Sequence, residues 1–251
     1  METTIFIPAR LESTRLAKKL LQQIGSRPMI CHVIDRAKES NIENVVVATD
    51  SVEIMSALKN EGVECMMTSK EHISGSDRIY EALSKIDPKG NIKYVINLQG
   101  DLPFIKPSII DALKQKVSES KADIITIAAP ISPKDIGKIS NKNVTKVAIS
   151  FYDDKEQFGK AVYFSREPIP HNASTYYEHI GVYLYQRKAL EKFVNLPPNT
   201  LETSEKLEQL RALANGLTID VCVIDNPPVN VDTLEGLEQA KKEYEEKYQT
   251  V

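Results

Sequence analysis

The amino-acid sequence predicts an α/β fold organised on a mostly parallel sheet with helices on both faces. Two patterns in the first half carry this expectation. Short runs such as 3–8 and 44–49 hold four consecutive apolar residues each, as strands buried on both faces do. Segments with apolar residues at i, i+3, i+4 and i+7 alternate with them, which is the βαβ alternation of a parallel sheet. The length, 251 residues, is enough for a substantial core.

The elements follow in order. Residues 3–8 (TTIFIP) form the first strand, and a polar, basic loop follows it. A helix is expected over 28–39, where Ile30, Val33, Ile34 and Ala37 share one face and Pro28 suits the first turn. Next come a strand at 44–49, a helix at 51–60 and a strand from Val63 to Met67. A helix at 74–85 leads to a strand at 92–98, which runs into Gln99-Gly100-Asp101. Pro107 opens a helix to about residue 119, before a strand at 123–129. Residues 130–143, with Pro133 and Gly137, read as a loop. The second half is less regular, with strands at 144–151, 160–165, 179–185 and 217–224 and helices at 187–194, 203–214 and 233–247.

Composition narrows the function classes. Lys and Arg number 32 against 35 Asp and Glu, a net charge of −3, so the chain is no bulk polycation and no nucleic-acid partner is expected. No stretch approaches the ~20 apolar residues of a membrane span, and the N-terminus lacks the basic n-region of a signal peptide. Cys31, Cys65 and Cys222 are scattered and form no CxxC pair, so neither zinc nor a disulfide framework is expected. A cytoplasmic location is the expectation.

Parallel sheets bind ligands beyond the carboxyl ends of their strands. The loop after the first strand holds Arg10, Arg15, Lys18 and Lys19, cations able to gather a polyphosphate, although the same run suits a solvated charged loop. Asp101 ends the strand 92–98, and Asp232 follows Val229-Asn230-Val231. Two such carboxylates meet the needs of nucleotide-bound Mg²⁺. Asp232-x-x-Glu235 also has the spacing of a helix-capping pair, with Asp232 as N-cap, and Asp101 suits a turn. Ser74-Gly75-Ser76-Asp77-Arg78 combines capping-box spacing with a small-residue turn that admits a flat ligand, Arg78 supplying charge. Arg166 closes a strand pattern. His179 and Tyr183 share one face of a strand. Glu208 and Gln209 flank the apolar stripe of a helix, which suits solvent exposure.

The chain resembles the 3-deoxy-manno-octulosonate (Kdo) cytidylyltransferases, or CMP-Kdo synthetases. The segments that carry the resemblance are IPARLESTRLAKKLL at 7–21, RPMICHVIDRAKES at 27–40, VVVATD at 45–50, MTSKEHISGSDRI at 67–79 and NLQGDLPFI at 97–105. AVYFSREPIPH at 161–171, EHIGVYLYQ at 178–186, LEQLRAL at 207–213 and VDTLEGLEQ at 231–239 extend it nearly end to end.

This resemblance implies a three-layer nucleotidyltransferase fold with a central mixed, mainly parallel sheet and a smaller sugar-binding and dimerisation portion. It implies one domain over 1–251, with 1–130 mainly for CTP and 131–251 mainly for the sugar acid and dimerisation, Asp232 returning to the active site. The implied reaction moves CMP from CTP to Kdo, releases pyrophosphate, requires Mg²⁺ and serves lipopolysaccharide synthesis in a homodimer. Arg15, Lys19, Asp101 and Asp232 fall at catalytic positions, the two aspartates as metal ligands. Ala9, Arg10, Arg15, Lys19, Ser74, Gly75, Arg78 and Gln99 fall at the nucleotide site. Gln99, Arg166, His179, Tyr183, Glu208 and Gln209 fall at the sugar-acid site. The family usually carries Pro-Gly-Lys-Pro where Ala17-Lys18-Lys19-Leu20 stands, and an acid where Leu102 stands. These departures leave open another sugar acid, 8-amino-Kdo or a sialic type, or a nucleotide-binding protein without catalysis.

Overall fold

A computed structural model describes residues 2–13, 16–152 and 154–248. The chain divides into two compact units, Met1–Asp111 with Pro228–Val251, and Ala112–Pro227.

The first unit opens with β1 (Thr3–Ala9). A short 3-10 turn, Lys19–Leu21, and a two-residue hairpin of β2 (Gln23–Ile24) and β3 (Arg27–Pro28) lead to α1 (Met29–Lys38). Then come β4 (Val45–Thr49), α2 (Val52–Ala57), β5 (Glu64–Met67), α3 (Gly75–Ile86), β6 (Tyr94–Asn97) and α4 (Pro107–Lys116), whose last turns enter the second unit. The strands lie in the order β5-β4-β1-β6, all parallel. Ile5, Phe6 and Ile7 are fully buried, as the unbroken apolar pattern of a central parallel strand requires. Helix α1 buries Ile30, Val33, Ile34 and Ala37, the stripe legible in the sequence.

The second unit holds β7 (Ile124–Ile131), α5 (Ile136–Ser140), β8 (Lys146–Phe151), β9 (Phe158–Ser165), β10 (Tyr176–Gln186), α6 (Arg187–Val194), α7 (Thr200–Glu205), α8 (Gln209–Ala214) and β11 (Ile219–Val223). Its strands run β10-β7-β11-β9-β8, with β7 and β11 parallel and the other pairs antiparallel. The sheet is therefore mixed, and the α/β class holds. The chain then returns to the first unit with α9 (Leu234–Tyr248).

Three expectations need correction. The helix expected over 203–214 is two helices, α7 and α8, because Lys206 turns left-handed at φ 56° and breaks the ladder. The segment 130–143 is not all loop: β7 reaches Ile131, and Asp135 caps the short α5 by accepting from the Lys138 N–H. The helix expected over 51–60 ends at Ala57.

Candidate active site

In the first unit the loops after β1, β5 and β6 surround a polar cavity of about 310 Å³. Arg10 and Lys19 come from the loop after β1, Ser74, Gly75 and Arg78 from the start of α3, and Gln99, Gly100 and Asp101 from the end of β6. Asp232 arrives from the segment before α9. This is the carboxyl edge of the parallel strands, as the topology leads one to expect.

Local interactions deliver each group. Ser74 and Asp77 form the expected capping box, so α3 begins beside the cavity. Gly75 and Gly100 keep the walls thin. A Cβ on Gly75 would lie 3.2 Å from Pro8, and one on Gly100 would lie 3.0 Å from Leu20. The Val231 N–H donates to the Asp101 carbonyl at 3.0 Å, which joins two segments far apart in sequence and sets their aspartates side by side. Asp232 is not the cap of α9. Thr233 takes that place, its Oγ1 accepting from the Gly236 N–H, and Asp232 turns to the cavity instead.

Lys19 is the centre of charge. Its Nζ lies 2.6 Å from Asp101 Oδ2 and 2.7 Å from Asp232 Oδ1. Burial works against its ammonium, but the two carboxylates outweigh burial and raise its pKa. Burial also pushes the Asp101 carboxyl up, Lys19 pulls it down, and the neighbouring Asp232 pushes it up again, for a net rise. Two carboxylates that converge on one cation, with phosphate-sized space beside them, suit a nucleotide-borne Mg²⁺.

Other predicted residues stand as follows. Ala9 is buried at the end of β1. Gln99 donates to Asn97 Oδ1 at 3.0 Å. Arg78 lines the cavity, yet the residue is 3% exposed and its guanidinium is bonded to Asp50, Thr68 and the Ser69 carbonyl. Arg15 lies outside the described residues. His72 also lines the cavity, and its ring is bonded to Glu81. His72 carries no spacing signal in the sequence, being one histidine in a polar loop. Leu102 is buried and is not among the residues that line the cavity.

The second unit gathers most of the residues assigned to the sugar acid. His179 and Tyr183 lie on β10 with ring centroids 5.4 Å apart, across an irregularity in the β7 pairing. His179 Nε2 is 3.0 Å from Thr126 Oγ1, and burial holds its pKa at about 3, so the ring is neutral. Burial, Tyr185 and Glu208 raise the Tyr183 phenol. Gln209 is buried rather than solvated. Arg166 donates from Nε to the Glu205 carbonyl at 2.8 Å and from its terminal nitrogens to the Lys142 and Lys206 carbonyls. It thus closes the C-terminal end of α7.

Residues 4–219 match the protein family described as Cytidylyltransferase. The 3-deoxy-manno-octulosonate cytidylyltransferase of Afipia carboxidovorans is 48% identical over 241 residues, 96% of each chain. That of Nitrobacter winogradskyi is 44% identical over 240 residues, 96% of this chain and 93% of the relative. A solved structure of CMP:2-keto-3-deoxy-manno-octonic acid synthetase complexed with CTP is 32% identical, with a TM-score of 0.88 over 98% of this chain and 100% of that one. Apo UDP-glucose pyrophosphorylase, 15% identical with a TM-score of 0.72 over 98% of this chain and 99% of that one, shares the fold. On sequence, family match and structure together, the chain belongs to the cytidylyltransferase family and, within it, to the 3-deoxy-manno-octulosonate cytidylyltransferases.

Proposed function

We propose that the chain transfers CMP from CTP to Kdo, releases pyrophosphate, and supplies the activated sugar for lipopolysaccharide synthesis in the cytoplasm. The relatives' shared name and the CTP-complexed neighbour support the reaction. The observation that carries it to a site is the convergence of Lys19, Asp101 and Asp232 on a polar cavity at the strand ends.

The Kdo hydroxyl attacks the α-phosphate of CTP, and the bond to the β-phosphate breaks. Such a transfer needs positioning and charge neutralisation more than covalent help from the protein. Asp101 and Asp232 would hold Mg²⁺, which when bound neutralises phosphate charge and acidifies the attacking hydroxyl. Arg10, Arg15 and Lys19 grip the triphosphate, and Arg15 and Lys19 steady the departing pyrophosphate. Ser74 and Gly75 leave room for the base. In the second unit Arg166, His179, Tyr183, Glu208 and Gln209 are the residues for the sugar acid; neutral His179 and the Tyr183 phenol suit hydroxyls rather than the carboxylate. The working form is a homodimer.

A substrate panel tests this reading. Purified protein with CTP and Mg²⁺ is offered Kdo, 8-amino-Kdo, a sialic acid or no acid, and products are followed by mass spectrometry. CMP-Kdo is the expected product. Turnover of another acid in preference to Kdo would move the specificity, and CTP binding without turnover of any acid would leave a binding protein.

A further inference from the structure

The cavity's buried arginine does not aim its charge at a ligand. Arg78 Nη2 lies 2.7 Å from Asp50 Oδ2, and Nη1 lies 2.7 Å from Thr68 Oγ1 and 3.3 Å from the Ser69 carbonyl. The pair is well shielded, with side-chain exposures of 4% and 14%. A buried ion pair of this kind is an expensive way to gain stability, since its desolvation cost offsets much of its attraction. Its other contact explains what it does. The second oxygen of Asp50, Oδ1, accepts from the backbone N–H of Leu11 at 3.4 Å. Leu11 follows Arg10 in the loop after β1.

Asp50 itself is rigidly mounted. It directly follows β4, the strand beside β1. The next residue, Ser51, caps α2 by accepting from the Glu53 and Ile54 N–H groups, and its own N–H donates to Thr49 Oγ1. The far side of the basic loop is tied to the same turn, for Lys18 Nζ lies 2.7 Å from Glu53 Oε1. Asp50 and the first turn of α2 therefore hold the loop at two points, Leu11 beside Arg10 and Lys18 beside Lys19.

We propose that Asp50, braced by Arg78, is a positioning residue that fixes the loop carrying Arg10 and Lys19 for the triphosphate. Arg78 then acts through Asp50 and not by touching the nucleotide. This rests on the reading of the cavity as the CTP site.

Steady-state kinetics with both substrates varied provide the test, beside wild type and Asp135→Ala. The latter removes the cap of α5 in the second unit, where Asp135 accepts from the Lys138 N–H, and takes no part in holding the loop. Asp50→Asn keeps the shape and loses the charge. The double variant Asp50→Asn/Arg78→Met removes the whole pair, so no unpaired buried cation threatens the fold. Both should raise the KM for CTP by about tenfold, keep the KM for Kdo within about twofold, and the double variant should be no worse than Arg78→Met alone. Asp135→Ala should melt lower with its KM for CTP unchanged. A KM for CTP within about twofold of wild type in the folded double variant would overturn the proposal, as would an equal rise in Asp135→Ala. Failure of the wild-type protein to turn over CTP would instead overturn the assignment of the cavity, and the positioning role with it.

Discussion

Replacing Lys19 by Met removes the cation that Asp101 and Asp232 share. Each carboxylate lies within 2.7 Å of the same nitrogen, and the side chains are 18% and 32% exposed. Two hydrogen bonds to a charged donor disappear, each worth about 1.5–3 kcal/mol. The carboxylates are left facing each other, and like charges about 5 Å apart repel by about 3 kcal/mol at an effective dielectric near 20. Uptake of a proton by Asp101 relieves part of this, consistent with its raised pKa. The net loss should be about 3 kcal/mol, a fall in melting temperature of roughly 6–12 °C for a chain of this size. Calorimetry in chelator reads it. The same variant frees an anionic pair, so Mg²⁺ without nucleotide should raise its melting temperature by several degrees and hardly move wild type, where metal must first displace Lys19. An unchanged melting temperature in chelator, or equal Mg²⁺ shifts in both proteins, would refute the shared-cation argument.

Other outcomes follow from the same geometry. Burial pushes the Glu81 carboxyl up, but Lys85, the Ser69 N–H and His72 outweigh it and hold the pKa at about 2. A depressed pKa stabilises the folded state above the ordinary value, so Glu81→Gln should be about 1–2 kcal/mol less stable at pH 7, with the gap closing from about pH 4.5 towards pH 2 in urea titrations. Lys18 holds a left-handed φ of 47°. Lys18→Val should therefore cost about 1–2 kcal/mol, whereas Lys18→Gly should be neutral or stabilising in thermal melts. A Cβ on Gly236 would meet the Asn230 carbonyl at 2.7 Å, two residues before Asp232. Gly236→Ala should cost about 1–3 kcal/mol by calorimetry and lower kcat as well, because the aspartate shifts with its backbone.

The sequence made the first unit's framework legible, for physical reasons that stop short of the site. Val45–Thr49 is buried at every position and Thr3–Ala9 at all but Pro8, as parallel strands covered on both faces are, and α1 shows its buried stripe. The break at Lys206 was hidden, since left-handed turns usually announce themselves with Gly or Asn. The β2–β3 hairpin is too short to show a period. Asp101 and Asp232 were visible as strand-end carboxylates, but their meeting at Lys19 spans 82 and 213 residues and leaves no local pattern. Asp50 was concealed for another reason: it sits just beyond a strand end, where an acid normally reads as a turn residue. Arg78 read as a ligand-facing cation because sequence shows charge but not what satisfies it.

Transfer of CMP from CTP to Kdo at the Asp101 and Asp232 cavity is tested most directly by pyrophosphate release from CTP by wild type and by Asp101→Asn, with and without Kdo and with and without chelator. Kdo-dependent release by wild type that chelation abolishes is expected, with a rate at least about 100-fold lower in Asp101→Asn, whose fold is retained. Release that ignores Kdo, survives chelation, or proceeds at a near-normal rate in Asp101→Asn would contradict it.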